Sequence, residues 1–210
     1  MPKMYVPYIK ETWSAFKFKH PIFQLIGLRG IIAGHTETEE KLLKKYAKGC
    51  KNVVEIGIAE GASAGELRPV IDQNATLYLI DPFLSGRIPY LSFTKMVAHR
   101  YVGISNNASV CWIEDFSYNA VKTWNKTIDF LFIDGDHSYE ACLRDWTEWS
   151  PFIVKGGIVA FHDGRIFAGG WTTENTGSVM VVNDLFRNQY NPDWQIVDEA
   201  DSVVVVKRIN

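Results

Sequence analysis

The sequence has few cysteines, no apolar run long enough to span a membrane, and almost no net charge. Its three cysteines, Cys50, Cys111 and Cys142, are an odd number without CxxC spacing, which favours free thiols in a cytoplasmic protein over a disulfide framework. No cationic segment followed by a long apolar stretch opens the chain, so we expect neither a signal peptide nor a membrane span. A formal net charge of −2 at pH 7 provides no broad field to attract nucleic acid or an anionic membrane.

The chain is long enough for one domain with a substantial buried core. It has 210 residues, of which 47% are hydrophobic and 22% are charged, and this length does not accommodate two domains comfortably. We predict an N-terminal helical cap at residues 1–48, which would contact the substrate or a second subunit, and one compact domain at residues 49–210. Within the cap, the stretch from Tyr8 to Phe23 is rich in Lys, Trp and Phe. We expect this stretch to be an amphipathic cover over the domain and not a membrane-surface helix.

Segments with the patterns of strands and of helices alternate along the chain. Seven segments have the apolar patterns of strands: 52–56, 75–81, 109–113, 128–134, 157–163, 194–197 and 202–206. Helices are predicted at 36–49, 62–71, 91–101, 139–149 and 179–190, and Pro69 would end or kink the second of them. This alternation predicts an α/β fold, a Rossmann-like, doubly wound, mostly parallel seven-stranded sheet with helices on both faces. The last two strands read as a C-terminal hairpin, which requires one antiparallel strand at or near an edge.

Almost every predicted strand is followed by an acidic residue or a histidine. Ligands of open α/β sheets bind beyond the carboxyl ends of the strands, at the point where the strand order reverses. The residues in that position are Glu55, Gly57, Asp81, Asp115, Asp134, Asp136, His137, His162 and Asp163. The sequence therefore predicts a ligand site that is built from the ends of several strands.

The first strand of the predicted domain runs into a glycine-rich turn. Gly57 and Gly61 permit a tight turn and the close approach of a ligand, but their spacing is not the GxGxxG that seats a dinucleotide pyrophosphate. Glu55 and Glu60 in the same turn would repel a phosphate and would favour an amino-acid head group with an ammonium. Asp81 ends the second strand, where a carboxylate commonly binds both hydroxyls of an adenosine ribose. The turn predicts a nucleoside-containing cofactor; the alternative is a turn that only closes the fold.

Acids and histidines also follow the fourth and fifth strands. Asp134 ends the fourth strand and His137 lies three residues further on, while His162 and Asp163 end the fifth. Converging buried carboxylates are costly unless a cation or protons neutralise them. Oxygen ligands with one imidazole suit Mg²⁺, Ca²⁺ or Mn²⁺ better than a closed zinc site. The cluster therefore predicts a divalent metal site, and the alternative is that these residues cap helices and bind loop amides.

Taken together, these residues resemble the class I S-adenosylmethionine-dependent methyltransferases over roughly residues 50–210. Glu55-x-Gly57-x-x-x-Gly61 is similar to their first motif, and Asp81 to their ribose-binding acid. Asp115 and Phe116 are similar to the acid and its neighbour that hold the adenine. The resemblance implies a cofactor site made of Glu55, Gly57, Gly61, Ser63, Asp81, Pro82, Phe83, Asp115, Phe116 and Asp134.

A narrower resemblance follows from Asp-Gly-Asp-His-Ser-Tyr at residues 134–139 and Gly-Gly-x-x-x-x-His-Asp at residues 156–163. This pair of motifs is similar to the macrolide-sugar and aminocoumarin-sugar O-methyltransferases and to the cephalosporin-pathway methyltransferase component. That subgroup implies a divalent metal, with Mg²⁺ expected, on Asp134, His162 and Asp163, and His137 as the catalytic base. The subgroup often has an acid where this chain has His162, which lowers the negative charge of the site.

The resemblance implies O-methylation of a hydroxyl on a sugar or another polyhydroxylated small molecule. Candidate acceptor regions are the N-terminal segment, residues 84–101 with Arg87 and Tyr90, and the loop around Trp171. We expect no nucleic-acid or membrane partner, because the charge is near zero, and the apolar N-terminal segment favours a homo-oligomer. Two alternatives stay open: a nicotinamide-dependent oxidoreductase, and a non-catalytic module that binds a nucleoside or a metal.

Overall fold

The computed structural model describes residues 3–5, 21–84 and 92–210, which form two parallel strands near the N-terminus and a seven-stranded sheet. The strands are β1 (Lys3–Tyr5), β2 (Ile31–Ala33), β3 (Asn52–Ile56), β4 (Thr76–Ile80), β5 (Ser109–Ile113), β6 (Ile128–Ile133), β7 (Ile153–Phe161), β8 (Trp194–Ala200) and β9 (Val203–Arg208). The helices are α1 (Pro21–Leu25), α2 (Glu37–Ala47), α3 (Ala62–Leu67), α4 (Phe93–Val102), α5 (Ser117–Ala120), α6 (Tyr139–Trp149) and α7 (Gly177–Val182). Within the described ranges, no helix has the length and apolar content needed to cross a membrane.

The large sheet has the strand order β5-β4-β3-β6-β7-β9-β8. The pairs from β5 through β7 are all parallel, whereas β9 is antiparallel to both β7 and β8. This arrangement confirms the predicted doubly wound sheet with one antiparallel strand in a C-terminal hairpin. The strand order reverses at β3, which pairs with β4 on one side and with β6 on the other. A ligand crevice is therefore expected beyond the carboxyl end of β3.

The sheet is buried on both faces. Phe130 and Phe132 of β6 belong to the apolar cluster on one face, and Leu131 belongs to the cluster on the other. All three side chains are fully buried, as the nearly continuous apolar sequence of this strand predicts for a strand covered on both sides. Trp149 at the end of α6 is also fully buried and packs into the second cluster.

Several element boundaries differ from the sequence predictions. α3 ends at Leu67, two residues before Pro69, because proline has no amide proton and its ring clashes with the preceding turn. β7 begins at Ile153, four residues before the predicted start, and passes through Gly156 at φ +82°, where its register with β6 shifts. The last predicted helix begins at Gly177 and continues as a π-helical turn over Asn183–Arg187.

Two predicted regions lie largely outside the described residues. The expected amphipathic cover from Tyr8 to Phe23 is described only from residue 21 onwards, and Arg87 and Tyr90 fall in the range 85–91, which is not described. The division of the chain at residue 48 stays a prediction.

Helix α2 is fastened to the C-terminal hairpin at its first turn. Thr36 Oγ1 accepts from the Glu39 amide at 3.1 Å and Glu39 Oε2 accepts from the Thr36 amide at 2.7 Å, which together form a capping box. Thr36 Oγ1 also donates to Asp201 Oδ2 at 2.6 Å. Glu39 Oε1 accepts from both the amide and the hydroxyl of Ser202, at 2.7 and 2.6 Å. The turn between β8 and β9 is thus tied to the start of α2.

Thr36→Ala removes both the N-cap and the hydrogen bond to Asp201. We expect the free energy of unfolding to fall by about 1–2 kcal/mol, which is the usual range for the loss of a threonine N-cap. Urea denaturation followed by circular dichroism measures this loss. Thr38→Ala is the matched control, since Thr38 lies in the same turn and is exposed, and it should change stability by less than about 0.5 kcal/mol. Equal losses in the two variants would contradict the role of the cap.

Candidate functional site

A cavity of about 590 Å³ opens beyond the carboxyl ends of β3, β4 and β6. Its volume is in the range of small-molecule and cofactor sites. Five of the predicted cofactor residues line it: Gly57, Asp81, Pro82, Phe116 and Asp134. The other predicted cofactor residues are not part of the lining: Glu55, Gly61, Ser63, Phe83 and Asp115. The cavity therefore lies at the reversal of the strand order, as the topology predicts.

Gly57 allows the ends of β3 and β6 to meet. Its φ is +86°, and a Cβ built there would lie 2.1 Å from the carbonyl oxygen of Asp134, so any side chain would overlap the backbone. The Gly57 amide donates to the carbonyl of Ile80 at 3.0 Å. Glycine is required at this position by both the conformation and the space.

Asp81 holds the glycine-rich turn in place. Its Oδ2 accepts from the amides of Ile58 and Ala59 at 2.8 and 3.1 Å, and its Oδ1 accepts from the Phe83 amide at 2.7 Å. A carboxylate offers about four lone-pair sites, so these bonds leave acceptor capacity for hydroxyl groups of a ligand. Asp81 lines the cavity and therefore both organises the turn and faces the ligand space.

Glu55 lies behind the cavity wall. Its side chain is fully buried and accepts a hydrogen bond from Ser63 Oγ at Oε1. Burial raises the pKa of Glu55 to about 8, and the nearby charges of Asp134 and Asp81 act in the same direction against the hydrogen bond from Ser63. The carboxyl group is thus largely protonated at neutral pH. Direct contact between Glu55 and an ammonium group stays a prediction, and the position of the carboxyl group behind the cavity wall does not favour it.

Glu60 is neutralised by a partner that sequence reasoning missed. Arg29 donates to Glu60 through two nitrogens, with Nη1 at 2.8 Å from Oε2 and Nη2 bonded to Oε1. The Ile32 amide donates to the same carboxylate at 3.1 Å. Both side chains are almost fully buried, at 2% and 7% exposure. The expectation that the charge of Glu60 would repel a phosphate therefore loses its basis, because that charge is paired inside the protein.

Asp115 and Phe116 are placed differently from each other. The Asp115 carboxylate is exposed and accepts from Asn119 Nδ2 at 3.0 Å and from the Phe116 amide at 2.7 Å. The hydrogen bond from Asn119, followed by that from Phe116, lowers the pKa of Asp115. The lining of the cavity includes Phe116, Ser117 and Tyr118 but not Asp115. Contact between Asp115 and the adenine stays a prediction, and in this structure the carboxylate binds the amide of its neighbour Phe116 and the side chain of Asn119.

The four residues of the predicted metal site and its base lie together at the mouth of the sheet. His162 Nδ1 lies 2.9 Å from Asp134 Oδ1 and 3.2 Å from Asp163 Oδ2. His137 Nε2 lies 3.6 Å from Asp163 Oδ2. One ligand atom from each of Asp134, His137 and His162 lies within 4.8 Å of the others. The two sequence-distant pairs converge because β6 and β7 are adjacent and parallel.

His162 also faces Glu39 from α2, a neighbour for which the sequence provides no signal. Glu39 Oε2 lies 3.7 Å from His162 Nε2, and its side chain is fully buried. Burial opposes the charged form of His162, but the carboxylates of Asp134, Asp163 and Glu39 outweigh it and raise its pKa well above the usual range. Burial likewise opposes ionisation of Glu39, yet His162 and the bonds from Ser202 and Thr36 lower its pKa to about 2.

The donor set fits a divalent cation. Asp163 is buried in a left-handed conformation at φ +52°; its amide donates to Ser202 Oγ at 3.2 Å and its carbonyl accepts from Ser178 Oγ at 2.7 Å. Among the described residues, its Oδ1 has no hydrogen-bond partner. A buried carboxylate oxygen without a donor, next to a second carboxylate, matches the ligand preference of Mg²⁺ or Mn²⁺, and His162 would join these ligands by releasing its proton to solvent as the cation binds.

Glu55→Gln should change how stability depends on pH. The folded protein keeps the Glu55 proton up to about pH 8, whereas the ordinary pKa of this group is 4.5. Between these values the folded state binds more protons, so the free energy of unfolding falls as pH rises, by at most about 1.4 kcal/mol per pH unit. We expect the variant to lose this part of the slope in urea denaturation between pH 5 and pH 8. Glu37→Gln, on the exposed face of α2, should keep the wild-type slope, and an unchanged slope in Glu55→Gln would refute the raised pKa.

Comparison with known proteins assigns a family to the part of the chain that forms the cavity. The family model described as a methyltransferase domain matches residues 54–164, from the middle of β3 to just beyond Asp163. A curated relative, the uncharacterized protein R132 of Acanthamoeba polyphaga mimivirus, is 27% identical over 168 residues, which cover 75% of this chain and 71% of that protein.

The solved structures with a similar fold include two O-methyltransferases. The O-methyltransferase TomG of Streptomyces achromogenes, in complex with SAM, has a TM-score of 0.62 and 12% identity and covers 96% of this chain and 92% of that chain. The O-methyltransferase of Bacillus cereus, in complex with SAH, has a TM-score of 0.60 and 12% identity and covers 95% and 93%. At 12% sequence identity, the similarity to these two structures shows the fold alone. The family match spans more than half of the chain and includes the strands that build the cavity, and the protein therefore belongs to the methyltransferase-domain family.

Proposed function

We propose that this methyltransferase uses S-adenosylmethionine to methylate a hydroxyl of a small molecule, such as a sugar with vicinal oxygens. The observation that carries the proposal is the cavity at the strand-order reversal, where Gly57, Asp81 and Asp134 meet in a chain of the methyltransferase-domain family. The similar O-methyltransferases in complex with SAM or SAH support the choice of cofactor and of oxygen as the acceptor atom. A net charge of −2 supports a small-molecule acceptor over nucleic acid.

The residues that would hold the cofactor have distinct tasks. Asp81 would accept hydrogen bonds from the ribose hydroxyls, and Gly57 would present its backbone to the cofactor on the cavity wall. Pro82 and Phe116 would provide apolar contacts on the cavity wall. When bound, the cofactor supplies an electrophilic methyl group on a sulfonium, so the main task of the protein is to align the acceptor oxygen with it.

His137 would take the proton that the acceptor hydroxyl loses when its oxygen forms the new bond to carbon and the cofactor sulfur leaves as a neutral thioether. Its side chain is 35% exposed and its Nε2 lies 3.6 Å from Asp163 Oδ2, so the carboxylate stabilises the imidazolium that results. The exposed ring of Trp171 lies at 5.6 Å from the His137 ring, nearly edge-on. This pair would form part of the acceptor site, with Trp171 as an apolar surface beside the base.

Asp134, His162 and Asp163 would hold a divalent cation beside His137, and Glu39 would orient His162 from behind. When bound, such a cation lowers the pKa of a hydroxyl that contacts it, which helps His137 to remove the proton. The carboxylate oxygen Asp163 Oδ1, which lacks a donor among the described residues, supports this assignment. Vicinal oxygens of a sugar or a catechol suit such a site because both can face the same cation.

Asp81→Asn tests the cofactor site. Isothermal titration of the wild-type protein with S-adenosylmethionine should show saturable binding, whereas NADH should not bind. We expect Asp81→Asn to weaken the affinity at least about tenfold, since one tenfold step corresponds to about 1.4 kcal/mol. Asp193→Asn is the matched control, because Asp193 is an exposed acid outside the cavity lining, and it should bind as the wild type does. Binding of NADH but not of S-adenosylmethionine would overturn the proposed cofactor.

Asp163→Asn tests the metal site without an acceptor. Titration of the protein with Mn²⁺, followed by electron paramagnetic resonance, should show one site in the wild type, and we expect Asp163→Asn to lose most of its affinity. Asp193→Asn serves as the control, since Asp193 is exposed and precedes β8, which is an edge strand of the large sheet. Wild-type Mn²⁺ affinity in Asp163→Asn would exclude the carboxylate as a ligand.

A further inference from the structure

A further carboxylate, that of Asp145, faces the cavity from helix α6. Asp145 is only 3% exposed and yet belongs to the lining. Ser117 Oγ donates to its Oδ1. Among the described residues, its other oxygen, Oδ2, makes no hydrogen bond. A buried carboxylate with one oxygen open to a cavity needs a donor from whatever fills that cavity.

The wall around Asp145 suits a flat aromatic group. Phe116 and Tyr118 stack with their ring centroids 5.2 Å apart and their planes at 18°, and the Arg144 guanidinium lies 4.2 Å from the centre of the Tyr118 ring. Phe116, Tyr118 and Arg144 all line the cavity. Ser117, between the two aromatic residues, carries the hydroxyl that holds Asp145. The aromatic wall and the open carboxylate oxygen are therefore parts of the same end of the cavity.

The adenine base of the proposed cofactor has one group that matches this end of the cavity. With its ribose on Asp81, the cofactor would extend its base along the wall formed by Pro82 and Phe116, towards Ser117. Hypoxanthine carries a proton on N1, which adenine lacks, and the two bases also differ in the group on C6. Adenine has there an exocyclic amine that donates hydrogen bonds, whereas hypoxanthine has a carbonyl oxygen that only accepts. A carboxylate oxygen attracts the first and repels the second.

Other acids near the cavity are less suited to this contact. Asp115, which the sequence assigns to the adenine, is exposed, is bonded to Asn119 and Phe116, and is outside the lining. Asp136 is exposed and its Oδ1 accepts from the Ser138 amide at 2.8 Å. Glu55 lies behind the wall with its hydroxyl partner Ser63. Only a buried acid that opens into the cavity discriminates strongly, because a mismatched ligand leaves it without a partner.

We propose that Asp145, held by Ser117, accepts a hydrogen bond from the exocyclic amine of the cofactor and thereby selects adenine over a 6-oxo purine. This inference rests on the proposed function, since it assumes an adenosine cofactor in the cavity. Burial raises the pKa of Asp145 to about 6, against the hydrogen bond from Ser117. The carboxylate is therefore still mostly ionised at neutral pH, where it accepts from the amine.

The experiment compares S-adenosylhomocysteine with S-inosylhomocysteine, which differ in the group on C6 and in the proton on N1. Isothermal titration of the wild-type protein above neutral pH should show that the adenosine compound binds about tenfold to a hundredfold more tightly, the range expected for one hydrogen bond to a charged group. Asp145→Asn should bind the adenosine compound more weakly by a similar factor. It should bind the inosine compound more tightly than the wild type does, because the new amide donates to the carbonyl oxygen.

Two controls separate recognition from folding. Glu140→Gln changes an exposed acid on the same helix and should retain the wild-type preference. Ser117→Ala removes the partner of Oδ1 but keeps the carboxylate, so a preference for the adenosine compound should persist. The wild-type comparison needs no variant and can therefore overturn the inference even if Asp145→Asn does not fold.

The outcomes distinguish the inference from the proposed function. Wild-type affinities within about twofold for the two compounds would overturn the role of Asp145, and so would an equal loss of both in Asp145→Asn. A wild-type protein that bound neither compound would instead overturn the proposed cofactor, and the inference would fall with it.

Discussion

The site depends on one close approach, between the backbone of Gly57 and the backbone of Asp134. A side chain at Gly57 would lie 2.1 Å from the Asp134 carbonyl, so the ends of β3 and β6 can meet only because this residue is glycine. The contact brings the glycine-rich turn, with Asp81 beneath it, beside the acid that faces His162. The proposed cofactor and metal sites are therefore neighbours for the same steric reason, and their shared wall is main chain.

The buried glutamates around this contact are stabilised in different ways. Glu60 is paired with Arg29 in a nearly fully buried bidentate ion pair. Glu55 has no cationic partner among the described residues and retains its proton, with a pKa raised to about 8. Glu39 stays ionised because His162 and the hairpin residue Ser202 surround its carboxylate. Arg29 and Glu39 both come from the N-terminal segment. That segment thus supports the turn and the acid–histidine cluster from outside the main sheet.

Most of the sheet could be predicted from the sequence. The strand Asn52–Ile56 and the helix Tyr139–Trp149 occupy the predicted residues, since their apolar spacing and flanking residues are local signals. The cluster of Asp134, His137, His162 and Asp163 could also be predicted, because the carboxyl ends of adjacent parallel strands meet at one edge. The ion pair between Arg29 and Glu60 could not, since 31 residues separate its members and neither has a distinctive local pattern.

The sequence by itself determined the elements, their mostly parallel arrangement and the edge at which the chemistry lies, because these depend on local periodicity and on general rules of strand connection. Only the tertiary structure decided which acids of that edge face the ligand. Asp115 follows strand β5, and Asp145 lies in helix α6. Nothing in the neighbouring sequence indicates which of the two acids faces the ligand. One is exposed and satisfied by its own loop, and the other is buried against the cavity. The difference arises from how α5 packs against α6, which is a property of the folded chain.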